Sequence, residues 1–591
     1  MKTKLRIWLA LGTVAGLVTA ALLVPETISA KPSVANAILR RELQVLQGNA
    51  TPPAHRMEVS SGVLYTLMQS SGILDAGTTR SAAASLVGSA PRTNGCQNVY
   101  SLNGLKNTRV NQDCSLRRQA EEVVAINPTD SRNLIAGQND SRVGFNHCGY
   151  DWSFDRGRTW GDQIPQFYQF IGGDGHTFDA CSDPTATFDA SGNAYVGGVL
   201  FDIGSAASAF VVAKSNAGIG GQFFHSPAAG AFQEYSDTPL GVIASDNDPN
   251  VFHDKEFIVA DANSGSPKVN NVYATWTRFT AANSPIFFSQ STDGGATWSP
   301  GVEISGNNPV TCTVGSVVPG ACDQDQGSHP IVGPDGTIYV SFGNGNTPVF
   351  GVNQVMFVSC PGSADCSSSA NWTAPVKVND LVGLHPIASA PNTAGCPVGR
   401  QCLPPNGYRV PEFTSISSSM DASGDLFVTW ADFRNGGAPC DTLDFATAAP
   451  PCDNDVFYAS SSDGGATWSA AHTLTPAGSA QWQPWSSVAA NGKLFVAYYD
   501  RQYGNCEFSG CNDITVTKVT NPASASPSMS SSRLTTGSMP DLNTITNPVQ
   551  AGFLGDYMWV ATSGNTAYVV WADTRGMNGT VEEDLYFATT H

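Results

Sequence analysis

Ser291-Thr292-Asp293-Gly294-Gly295-Ala296-Thr297-Trp298 carries a pattern that the chain writes three times. The other copies are Ser153-Phe154-Asp155-Arg156-Gly157-Arg158-Thr159-Trp160 and Ser461-Ser462-Asp463-Gly464-Gly465-Ala466-Thr467-Trp468. All read Ser-x-Asp-x-Gly-x-Thr-Trp. The chemistry is that of a tight turn. The Asp carboxylate accepts from turn amides, the Gly takes a backbone angle other residues resist, and the Trp buries a large ring.

Around these turns lie short runs of Val, Ile, Phe, Tyr, Trp and Thr separated by turn residues, the punctuation of strands. A strand opens, often just after a proline. A turn follows, and a second strand ends in an aromatic residue, often with Asp and Arg behind it. Pro411 to Arg434 and Tyr557 to Arg575 are the clearest copies, ending in Trp430-Ala431-Asp432-Phe433-Arg434 and Trp571-Ala572-Asp573-Thr574-Arg575. Units open at 121, 184, 256, 330, 411, 484 and 557, a spacing of 63 to 81 residues. Each Ser-x-Asp turn falls between the third and fourth strands of its unit. Repeated all-β units with no helices between them predict a β-propeller of six or seven four-stranded blades. The last unit has room for only three strands, so a strand within Val99 to Arg118 is expected to complete it and close the ring.

The 591 residues include 30 Lys plus Arg and 49 Asp plus Glu, a net charge of −19. The acidic balance excludes a nucleic-acid binder, which needs a basic face. Residues 1–37 read as a signal peptide: Lys2, Lys4 and Arg6, an uncharged stretch from Ile7 to Val24, then Ala35-Asn36-Ala37 as cleavage site. Once it is cleaved, no membrane span is expected. Residues 38–98 read as an N-terminal extension, with short helices at Ala37 to Leu46 and Gly62 to Ile73, and 99–591 as the propeller. All 14 Cys lie beyond the leader, mostly as neighbouring couples. This fits local disulfides paired in chain order and a secreted or extracytoplasmic protein.

The Ser-x-Asp turns resemble the Asp-boxes, or BNR repeats, of the sialidase superfamily. The resemblance covers roughly 119–591 and implies a sialidase-like propeller. In that family three arginines hold the substrate carboxylate, one from an Arg-Ile-Pro motif. A Tyr nucleophile is activated by a Glu, and an Asp serves as acid/base. Tyr408-Arg409-Val410-Pro411 resembles the motif, but stands after two of the three turns instead of before them. The box carboxylates themselves are expected to be consumed by their own turns.

Topology locates the rest. First-strand starts and second-strand ends share one face of the disc, opposite the Ser-x-Asp turns. On that face Tyr557 is the candidate nucleophile, Glu256 (or Glu121) its base, and Asp183 or Asp556 the acid/base. Arg409, Arg434, Arg501, Arg575 and His329 are candidate substrate ligands. Each Asp-x-Arg pair has a plain structural alternative as a bridge or loop cap. No cofactor is required, although a ring of Asp183, Asp254 and Asp556 could hold structural Ca²⁺. Asp323 to Gly327 reads as a solvated loop. Two functions stay open: an exo-glycosidase of retaining exo-α-sialidase type, and a non-catalytic propeller binding a glycan or a protein. The partner expected in either case is a glycan or glycoconjugate, with a protein as the alternative for the second.

Overall fold

The computed structural model describes residues 33–50, 58–73, 96–115, 117–165, 177–218, 220–221, 240–349, 351–383, 402–405, 407–410, 412–436, 452–475, 478–542, 554–576 and 581–591. The hydrophobic part of the leader lies outside them.

Seven antiparallel sheets form the blades of a β-propeller, at 119–163, 180–246, 251–303, 325–382, 417–473, 481–533 and 559–590. In the first six, four strands follow in chain order from the channel outward. Blade 7 takes three strands from the C-terminus and its fourth from Leu105–Arg109, which pairs Thr108 with Phe587 and Arg109 with Tyr586. Val99–Leu102 adds a fifth strand. The expected closing strand is therefore present, and it covers an edge that would otherwise offer unpaired amides.

The three Ser-x-Asp turns have one geometry. Asp293 accepts from Thr297 N at 2.9 Å and Thr297 Oγ1 at 2.6 Å, and Ser291 Oγ accepts from Gly295 N at 2.8 Å. Asp155 and Asp463 make the same bonds with Thr159 and Thr467. Each indole donates to the Gly carbonyl of its own turn. Register pairs Val272 with both Val259's neighbour Ala260 and Ser291, whereas Val251 pairs with Thr280. First-strand starts and second-strand ends thus share one face, the strand-start face, and the Ser-x-Asp turns lie on the other, the turn face.

The extension forms two helices, α1 (Ala37–Leu46) and α2 (Ser61–Ser71). Val34, Ile38, Leu39, Val63 and Leu67 pack against Phe252, Ile203 and Phe279 of blades 2 and 3. Asn36 caps α1, accepting from Ile38 N at 2.9 Å, and donates to Val251 O at 2.7 Å. Asp325, expected in a solvated loop, instead starts the inner strand of blade 4, buried and bonded to Asn344 Nδ2 at 2.6 Å.

Five disulfides join nearest neighbours in order: Cys96–Cys114, Cys148–Cys181, Cys312–Cys322, Cys360–Cys366 and Cys506–Cys511. Cys402 and Cys452 are also bonded, but Cys396 and Cys440 lie outside the described residues. No helix among the described residues is long and apolar enough to cross a membrane.

Candidate functional site: the central channel

The inner strands are not regular. Register breaks between Ala120 and Val123, Ser182 and Thr185, Asp254 and Phe257, Gln326 and His329, and Trp482 and Trp485. At each break one residue is left-handed: Glu121 (φ 63), Asp183 (φ 58), Lys255 (φ 55), Gly327 (φ 67) and Gln483 (φ 51). Four of these are not glycine, and a β-bulge holding such residues stores strain while re-aiming side chains. The device is repeated around the ring, and it gathers ionisable groups at the strand-start end of the channel.

There Glu121, Asp183, Asp254, Glu256 and Asp556 are fully or almost fully buried, with Lys255 and Arg409 between them. The first turn of α2 enters this cage. Ser60 N donates to Asp254 at 2.7 Å, Ser61 N to Asp556 at 3.0 Å and Gly62 N to Glu121 at 3.2 Å. Ser61 Oγ bonds both Asp556 and Arg409. Unsatisfied amides and the positive end of a helix dipole suit carboxylates. Only glycine fits at 62, since a Cβ would lie 2.1 Å from Ser182 Oγ and 2.3 Å from Asn139 Nδ2.

Burial dominates the protonation of the cage. Together with the Asp183 charge it raises Asp254 to about 8. Burial, then Asp183 and Asp556, lifts Glu121 well above the carboxylate range. Burial, then Asp183 and Asp254, does the same to Glu256, and burial raises Asp183. Asp556 goes the other way. Burial opposes its ionisation, but Arg409 at 2.8 Å and Lys255 at 3.5 Å outweigh it and lower its pKa.

Tyr557 lies beneath this cage, and its hydroxyl donates to Pro184 O at 3.4 Å. Burial and the charges of Asp183, Glu121 and Glu256 push its pKa up. Both Glu256 oxygens are buried without a hydrogen-bond partner among the described residues. Arg409 is the one candidate arginine in the cage. Arg434 is held by its own Asp432 at 2.9 Å, donates to Asn379 at 3.0 Å and covers Phe457. Arg575 is held by Asp573 at 2.9 Å and donates to Asn107 and Thr536 at 2.9 Å each. In both, the Trp of the Trp-Ala-Asp-x-Arg motif donates to the same Asp. Arg501 is buried against Trp482 and Tyr408 and donates to Pro404 O at 2.6 Å. His329 sits deeper, with Nδ1 accepting from Ser418 N at 2.8 Å.

Sequence reasoning missed three parts of the site. Asn139, which donates to Glu121 and accepts from Asp183 N at 3.0 Å, is the penultimate residue of its second strand, one place before Asp140. The Ser60-Ser61-Gly62 plug carries a readable signal in its N-cap serine and following glycine, but nothing local says where it docks. Lys255 is hidden in the bulge. Among the described residues, no three His, Cys, Asp or Glu side chains are arranged to hold a metal ion.

No family model and no curated protein matches the chain. Solved structures similar to it include the intramolecular trans-sialidase from Ruminococcus gnavus, 12% identical over 80% of this chain and 94% of that one, with a TM-score of 0.36. The phage phi92 endosialidase is 11% identical over 82% and 68%, with a TM-score of 0.40. A polysaccharide lyase, an ulvan lyase, is 10% identical over 80% and 96%, with a TM-score of 0.43. The seven-bladed ring, closed by an N-terminal strand and bearing its Ser-x-Asp turns in one phase, is a β-propeller of the kind that the sequence predicts.

Proposed function

We propose that this protein is an exported glycan-binding propeller without hydrolytic activity. One observation carries the reading: the candidate arginines do not converge. Arg434 and Arg575 are each locked onto the aspartate two residues before them, Arg501 is buried under aromatic rings, and Arg409 is taken by Asp556 and Ser61. A sialoside carboxylate needs planar guanidinium forks that are open to it. The resemblance of the three turns to Asp-boxes supports a carbohydrate ligand. The described disulfides support export to an oxidising compartment.

A second reading is an exo-glycosidase of sialidase type, with Tyr557, Glu256 and Asp183 or Asp556 in the roles given above. What favours it is the splitting of carboxylate pKa values in one cage, with Asp556 lowered and its neighbours raised, the pattern of acid/base pairs. The test is hydrolysis of a fluorogenic sialoside by the oxidised protein beside Arg409→Ala, run together with a glycan array. Array retention without hydrolysis is expected. Hydrolysis that Arg409→Ala abolishes would overturn the binding reading, and a protein that retains no glycan would refute it outright.

A further inference from the structure

The channel has a second mouth, on the turn face, and it is built differently. An aromatic layer closes the cage from below. Trp485 and Trp559 stack with ring centroids 4.0 Å apart, and His329 meets them edge-on at 4.6 and 5.5 Å. Phe257 and Tyr557 complete the layer. Beyond it opens a cavity of about 610 Å³, formed by the ends of the inner strands of blades 3 to 7. That volume suits a small ligand.

Three observations define what the cavity would accept. First, it is nearly free of charge. No Lys, Arg or Glu lines it, and its one acid, Asp421, spends Oδ1 on the amides of Ser423 and Asp425 at 2.8 and 3.0 Å. Burial drives the pKa of His329 down to about 3, so its ring is neutral. Second, its floor carries idle donors. Several indole N–H groups elsewhere find acceptors, with Trp430 reaching Asp432, Trp571 reaching Asp573 and Trp372 reaching Cys366 O, although that of Trp482 does not. Those of Trp485 and Trp559 have no acceptor among the described residues. With Nδ1 of His329 accepting from Ser418 N, its proton is on Nε2, which also lacks a partner there. Third, its wall is hydroxylic. Ser419 and Ser486 are 3.3 Å apart, and Ser487 meets Thr562 at 2.9 Å. Hydroxyls can both donate and accept.

We propose that this cavity is a binding site for neutral sugar residues, and the proposal rests on the glycan-binding reading above. A pyranose has an apolar C–H face for the half-buried Trp559 ring and a rim of hydroxyls for the indole, imidazole and serine groups. A sialic acid would bring a carboxylate that no cation of the cavity meets, so the site selects against charged sugars. The ligand enters from the face opposite α2, and the carboxylate cage takes no part in holding it.

The test uses the full-length, oxidised protein on an array of neutral and sialylated oligosaccharides, followed by fluorescence titration with the neutral glycans retained. Two variants accompany it. Trp559→Ala removes the platform. Ala422→Trp narrows the mouth from an exposed rim position and is expected to leave the melting temperature unchanged. Retention of neutral glycans, with a change in tryptophan emission and a loss of about tenfold or more in both variants, is the expected result. Retention confined to sialylated glycans, or neutral binding unchanged in both variants, would overturn this site while leaving the glycan-binding function standing. Retention of no glycan at all would remove both.

Discussion

Asp254→Asn probes the cage most directly. Asp254 is buried, accepts from Ser60 N at 2.7 Å, and has its pKa raised from 3.8 to about 8 by burial and by Asp183. Between those values the folded protein keeps a proton that the unfolded chain has released. The unfolded state therefore binds fewer protons, and stability falls as pH rises. The contribution is present in full below pH 3.8 and is lost as pH climbs toward 8. Each unit of pH in this window is worth about 1.4 kcal/mol, so Asp254 alone removes roughly 4 kcal/mol between pH 5 and pH 8. Asparagine has the same shape, can accept from Ser60 N and does not titrate. The variant should match the parent within about 1 kcal/mol at pH 5 and be more stable by roughly 3–4 kcal/mol at pH 8. Urea unfolding of the oxidised protein, followed by tryptophan fluorescence in half-unit steps of pH, measures both curves. Parallel curves would show that Asp254 titrates as it does in the unfolded chain, and the account of the cage would be wrong.

Three further outcomes are expected. Arg409→Met leaves Asp556 buried with only Lys255 as cation and should cost about 3–5 kcal/mol in urea unfolding; Arg434→Met, at the partly exposed rim, should cost clearly less. Gly465→Ala puts a Cβ 2.3 Å from Phe357, whose ring is held edge-on by Trp468, at a φ of 89°, so a loss of roughly 2–5 kcal/mol is expected. Gly464→Ala, at φ 72° but in open space, should lose only about 1–2 kcal/mol, with urea unfolding of both glycine variants as the measurement. Val34, Ala35, Asn36 and Ala37 are built into the fold through Ile203 O, Val251 O and Pro249 O, so the mature N-terminus should lie at or before Ser33, upstream of the Ala35-Asn36-Ala37 site; intact-mass measurement of the exported protein decides this.

What could be read from the chain alone was whatever short-range chemistry enforces. The Ser-x-Asp turns close within five residues, so their geometry is written in their own letters. The seven openings follow because each blade is one local antiparallel sheet, and the missing strand of blade 7 follows from counting. The helices of the extension and the order of the described disulfides were legible for the same reason. The tertiary structure decided everything that depends on the ring. Ser60, Ser61 and Gly62 meet partners 194, 495 and 59 residues away, and no local pattern names those partners. The Asp-x-Arg pairs looked like channel ligands in sequence, but Asp432 and Asp573 hold their own arginines because two residues of strand end bring the groups within reach. Which cage carboxylates keep their protons depends on burial, on Lys255 from the inner strand of blade 3 and on Arg409 from the segment that precedes blade 5. The nearly uncharged cavity beneath exists only because five inner strands converge, since a cavity is a property of the space between segments that the chain keeps far apart.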